Sequence, residues 1–146
     1  MSEFDGVEVL LVEDNVHDAE LTMRALKKGN LNNKLCWVKD GVEALEFIAG
    51  TGTYASRDAR ELPRLILLDL KMPRLNGLEV LRKLKTDERT QSIPIVVMTS
   101  SNQERDLNDC YELGVNGYVT KPIGLEDLTV VVAKIGMFWL LVNRVS

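Results

Sequence analysis

At 146 residues the chain has the length of one domain, for which about 150 residues is typical, and it can bury about two-thirds of its unfolded surface without staples. Charged residues at 27% and hydrophobics at 45% exclude a disordered or low-complexity chain, and 18 bases against 22 acids (net −4) argue against nucleic-acid binding. A single histidine, His17, and two lone cysteines, Cys36 and Cys110, leave no His-rich metal site, disulfide scaffold or zinc spacing.

The acidic start, Met1 to Asp5, carries no signal peptide pattern. Val7 to Val12 is a short β-branched apolar run ending at Glu13-Asp14, and it reads as a strand. Val16, Ala19, Met23 and Leu26 then recur at helical spacing, with Asn15 as N-cap and Asp18 at the capping-box offset. Leu35-Cys36-Trp37-Val38 is a second strand. Asp40 caps a second helix, with Glu43 three residues on, and Gly50 ends it. From Thr51 to Pro63 the chain is polar and aperiodic, an expected exposed loop. Leu65 to Leu68 is a continuous apolar run that stops at Asp69; after Met72-Pro73 a helix carries Leu78, Leu81 and Leu84. Ile93 to Met98 forms a fourth strand ending at Thr99. Ser101 with Glu104 opens a fourth helix towards Gly114, and Tyr118-Val119 lies in a short fifth strand closed by Lys121-Pro122.

The final helix starts near Leu125. Its apolar stretch from Leu128 to Val142 carries Lys134 and is short of the ~20 residues that span a bilayer, so a buried helix is expected and no membrane segment. Leu128, Val131, Val132, Ile135, Phe138, Trp139 and Val142 would cover the sheet, while Val130, Met137, Leu140 and Leu141 form a second apolar face. A helix apolar all round is usually buried on both sides, which predicts a homodimer through Met137, Leu140 and Leu141, against a tail that wraps its own core.

Five strand–helix units with continuous apolar strands predict an α/β, doubly wound parallel sheet covered on both faces. In such sheets the site lies beyond the strands' C-terminal ends. Glu13-Asp14, Asp69, Thr99-Ser100 and Lys121 all stand there. Each alone is an ordinary polar residue at the edge of a sheet. Together, three carboxylates repel by about 4 kcal/mol per pair at ~4 Å and an effective dielectric of 20, so they call for a counter-ion. Hard oxygen ligands suit Mg2+ (or Mn2+) better than zinc. Asp69 as nucleophile, beside a cation, an ammonium and a hydroxyl, points to phosphoryl transfer.

The pieces Leu11-Val12-Glu13-Asp14-Asn15, Leu67 to Pro73 followed by Asn76-Gly77, Met98-Thr99-Ser100 and Gly117 to Pro122 resemble the receiver domain of two-component response regulators. The resemblance runs from about Val7 to Leu140 and implies the (βα)5 flavodoxin-like fold with strand order 2-1-3-4-5. It implies a single domain over residues 1–146, with a core of about 7–142 and no output domain. It further implies that Asp69 accepts a phosphoryl group from a sensor histidine kinase, and that Glu13, Asp14, Asp69 and the backbone carbonyl of Lys71 hold the metal. Thr99 and Lys121 would contact the phosphoryl oxygens, Thr99 and Tyr118 would form the switch, and Lys121-Pro122 would be a cis peptide, a proline phenomenon. The fourth helix, fifth strand and fifth helix would then signal to a downstream protein or phosphotransfer partner. Such a protein is cytoplasmic, and it catalyses only its own phosphorylation and slow dephosphorylation.

Lys71 and Ser101 either tune loss of the phosphoryl group or are solvated surface; His17 is an accessory contact or an exposed helix residue. The insert from Thr51 to Pro63 and the Phe138-Trp139-Leu140 ending resemble small stand-alone regulators paired with phytochrome-type kinases. A receiver-like module that is never phosphorylated, and a phosphohydrolase with Lys71 where a second acid belongs, are the rival readings.

Overall fold

Each residue of Val9–Val12 (β1), Leu65–Asp69 (β3) and Ile95–Thr99 (β4) is buried, as expected of strands covered on both faces. The computed structural model describes residues 6–28, 34–72, 74–99, 104–121 and 130, with backbone only at 104–107. Leu35–Val38 (β2) and Gly117–Thr120 (β5) complete a five-stranded, all-parallel sheet in the order β2-β1-β3-β4-β5. Strand order and fold class agree with the expectation.

Alternate strand residues feed two cores. Leu10, Val12, Ile66, Leu68, Ile95 and Val97 pack with Phe47 and Ile48 of Gly41–Ala49 (α2), and with Val80, Leu81 and Leu84 of Gly77–Thr86 (α3). Val9, Leu11, Leu65, Leu67, Val96 and Met98 pack on the other face with Ala19 and Leu26 of Val16–Lys28 (α1). Glu104–Glu112 (α4) adds the buried Cys110 to the first core.

The helix ends follow the sequence chemistry. Asn15 Oδ1 accepts the Asp18 N–H at 2.9 Å, Asp40 Oδ1 the Glu43 N–H at 2.8 Å and Asn76 Oδ1 the Glu79 N–H at 3.0 Å. Gly50 closes α2 in the left-handed region at φ 69°.

Two expectations are corrected. Val16 is 54% exposed rather than part of the α1 core stripe, and Thr22 is buried in that stripe instead, its hydroxyl donating to the Asp18 carbonyl at 2.8 Å. The segment 51–63 is not a plain exposed loop. A 3-10 turn at Gly52–Tyr54 buries Tyr54 edge-on against Phe47 at 5.2 Å, with its hydroxyl donating to Glu43 at 2.7 Å. Arg57 is buried too, its guanidinium 4.2 Å from the Phe47 ring centre and donating to the Phe47 carbonyl at 2.9 Å. Both side chains carry apolar bodies that fill space while their polar ends find backbone or carboxylate partners.

Candidate functional site

Glu13 continues β1 by one residue, its N–H bonding the Val38 carbonyl at 3.0 Å, while the Trp37 indole N–H donates to the Glu13 carbonyl at 2.8 Å. These bonds hold a carboxylate that is 0% exposed, with one oxygen accepting the Asn15 N–H at 3.2 Å. One strand over, Asp69 is the last residue of β3 and is also buried; its Oδ1 accepts the Lys71 N–H at 3.4 Å. Asp14 beside them is exposed, and one carboxylate oxygen from each of Glu13, Asp14 and Asp69 lies within 4.8 Å of the others.

Lys121 reaches in from the end of β5, with its N–H tied to the Thr99 carbonyl at 2.9 Å. Its ammonium lies 2.5 Å from Glu13 Oε1, 3.1 Å from Asp18 Oδ2 and 3.3 Å from Asp69 Oδ2. Thr99 is buried at the end of β4, one step past Met98, which pairs with Asp69. Thus Glu13, Asp14, Asp69, Thr99 and Lys121 converge at one end of the sheet. Tyr118 is turned outward, 39% exposed and edge-on to Tyr111 at 6.2 Å. His17 is exposed. Ser101, Pro122, Met137, Leu140 and Leu141, and with them the cis peptide and dimer expectations, lie outside the described residues.

The helix facing Asp69 starts unusually close to it. A Cβ on Gly77 would collide with the Asp69 carbonyl oxygen and stand 2.6 Å from Leu70 Cα. Gly77→Ala should therefore destabilise the protein by about 2–3 kcal/mol, read as a lower urea midpoint at unchanged m.

Electrostatically the cluster is short of positive charge. Burial first, and then the neighbouring Asp69, push Glu13 up to about 7 despite the pull of Lys121. Burial likewise raises Asp69 above the usual carboxylate range. Burial alone would lower Lys121, but Glu13 and Asp69 outweigh it and hold the ammonium charged. Glu13 Oε1 is fully buried, has no aligned hydrogen bond among the described residues, and meets the Lys121 ammonium as an ion pair. Among the described residues, three carboxylates, one open to solvent, against a single ammonium are a donor set that fits a hard divalent cation.

Asp18 was missed as a site residue. Its capping-box offset accounted for it locally, and only the fold brings it to Lys121.

The sequence profile of the response regulator receiver domain matches residues 9–133. The chain belongs to the response regulator receiver family. Among its receiver relatives, a probable methanogenesis regulatory protein, FilR2 of Methanothrix harundinacea, is 40% identical over 93% of this chain and 85% of its own. Response regulator Rcp1 of Synechocystis is 40% identical over 90% of this chain and 88% of its own. Among solved receivers, the bacteriophytochrome response regulator AtBRR superposes with TM-score 0.84 at 44% identity, covering 93% of this chain and 96% of that one. The Mn2+-bound form of Rcp1 gives 0.75 at 40% identity, covering 92% and 94%. A phosphorylated cyanobacterial phytochrome response regulator, RcpA, gives 0.75 at 39%, covering 91% and 93%. This receiver is thus similar to regulators of phytochrome systems. Among its described residues, no helix is long and apolar enough to cross a membrane.

Proposed function

We propose that this receiver is a phosphorylation-driven signalling switch that takes a phosphoryl group from a sensor histidine kinase onto Asp69 in a Mg2+-dependent reaction. The observation that carries this reading is the Lys121 ammonium lying across Glu13 and Asp69, at 2.5 and 3.3 Å, beside the exposed Asp14. In the transfer, an Asp69 oxygen forms the bond to phosphorus as the phosphorus–nitrogen bond to the kinase imidazole breaks. The imidazole keeps the electron pair. Lys121 and the Thr99 hydroxyl donate to phosphoryl oxygens. Glu13, Asp14, Asp69 and the Lys71 carbonyl would hold Mg2+ or Mn2+, which supplies neutralisation of the charge on those oxygens.

The modification adds about −1.5 to −2 charge. Thr99 is drawn towards it, and Tyr118 leaves its outward position against Tyr111 to turn inward, changing the surface of α4, β5 and the helix that follows. Moving a switch from 1:99 to 99:1 takes about 5.5 kcal/mol, which a few charge-assisted hydrogen bonds at about 1.5–3 kcal/mol each supply. The similarity to the bacteriophytochrome response regulator AtBRR and the phytochrome response regulator RcpA supports a phytochrome-type kinase as donor, and the same reading puts the protein in the cytoplasm. The output goes to a downstream protein or phosphotransfer partner, with homodimerisation through Met137, Leu140 and Leu141 as part of the same reading. The protein catalyses only its own phosphorylation and slow dephosphorylation.

Incubation with acetyl phosphate and Mg2+ should give a phosphorylated species that hydroxylamine removes and that does not form in EDTA. A wild-type protein left unmodified with Mg2+ present would sink this reading.

A further inference from the structure

Lys121 has three N–H donors and three carboxylates around them, Glu13, Asp18 and Asp69. Two of these, Glu13 and Asp69, also belong to the metal-competent group with Asp14; Asp18 does not. An ammonium and a dication drawing on the same two carboxylates compete, because like charges repel strongly at that range. The contact to Asp18 is of a different kind. It is an aligned hydrogen bond of 3.1 Å, whereas Glu13 Oε1 has no aligned hydrogen bond.

From this we infer that Asp18 is a positioning residue, which keeps the Lys121 ammonium beside Asp69 when Glu13 and Asp69 turn to a divalent cation. Asp18 is suited to it. Its own N–H is held by Asn15 at 2.9 Å and its carbonyl accepts the Thr22 hydroxyl at 2.8 Å, so its backbone cannot drift in the first turn of α1. Its side chain is 32% exposed, so it keeps part of its hydration and needs no cation beyond the lysine. Without Asp18 the ammonium has, among the described residues, Glu13 and Asp69 alone, and it blocks the metal instead of standing beside it. The inference rests on the phosphoacceptor reading above.

The test is a Mg2+ titration of the intact chain, followed by tryptophan fluorescence, since Trp37 bonds the Glu13 carbonyl. Asp18→Asn should raise the Mg2+ dissociation constant about tenfold in the otherwise wild-type protein, but by no more than about twofold in a Lys121→Met background. Asp18→Glu should restore wild-type binding. Equal weakening in both backgrounds would make Asp18 a mere source of field, and no weakening in either would remove it from the site; both outcomes overturn the inference. Should Lys121→Met not fold, the Lys121 NH3+ resonance is the second reading. It should stay visible in Mg2+-saturated wild type and broaden away in Asp18→Asn; persistence in the variant overturns the inference. Acetyl phosphate labelling of the wild type runs alongside. An unlabelled wild type defeats the proposed function, whereas a labelled one whose Mg2+ affinity ignores Asp18→Asn defeats only the role of Asp18.

Discussion

Asp69→Asn should abolish covalent phosphorylation by acetyl phosphate and, at pH 8 without metal, raise the stability of the fold by about 1–2 kcal/mol. The loss of chemistry follows from replacing a charged oxygen nucleophile by an amide, in the buried carboxylate that closes β3, 3.3 Å from the lysine. The gain in stability has a separate cause. Asp69 sits buried beside a buried Glu13, and one ammonium serves both. Burial holds its ionised form at a disadvantage, and asparagine removes the charge at nearly constant volume. Urea unfolding in EDTA reads the stability, and intact-mass measurement after phosphorylation reads the chemistry. A variant that still acquires a phosphoryl group would place the acceptor elsewhere. One no more stable than wild type would mean that Lys121 alone compensates both carboxylates.

The same electrostatic tension explains what could be read in the sequence. Glu13, Asp14, Asp69, Thr99 and Lys121 were legible because a doubly wound sheet directs attention to strand ends, and all but Lys121, which follows the mixed strand Gly117–Thr120, close or adjoin a continuous apolar run. Asp18 was not. It lies 103 residues from Lys121, and its place three residues after Asn15 already had a sufficient local explanation as part of a helix start. Val16 misled for a related reason: it matches the helical period, but as the first residue of α1 it points past the sheet. Tyr54 and Arg57 were hidden by composition. A stretch such as 51–63 reads as polar, and only tertiary packing on Phe47 shows that its tyrosine and arginine are buried by their apolar parts.

The second large effect is on pH dependence. Without metal, the protein should lose about 3 kcal/mol of stability as pH rises from about 4.5 to above 7, through Glu13 alone. The folded-state value of Glu13 is raised from 4.5 to about 7, so between those values the folded chain binds more protons than the unfolded chain. Stability then falls with rising pH: the contribution is fully present below 4.5 and is lost as pH passes through about 7. At about 1.4 kcal/mol per unit, the lift corresponds to about 3 kcal/mol. The raised Asp69 acts in the same direction, while Lys121, a base held above 10.5, stays charged throughout this window. Glu13→Gln should flatten the profile between pH 5 and 8, whatever constant cost the buried amide brings. Mg2+ selects the ionised carboxylates, so at about 100 times its dissociation constant it should restore about 2.7 kcal/mol at pH 8 in wild type and much less in Glu13→Gln. Urea midpoints at pH 5 and 8, with EDTA or Mg2+, measure all four quantities. A wild-type profile as flat as that of Glu13→Gln would mean that the lysine neutralises Glu13 fully in the folded state. A steep profile that Mg2+ reverses only in wild type ties the stability lost at this end of the sheet to the site that binds the cation.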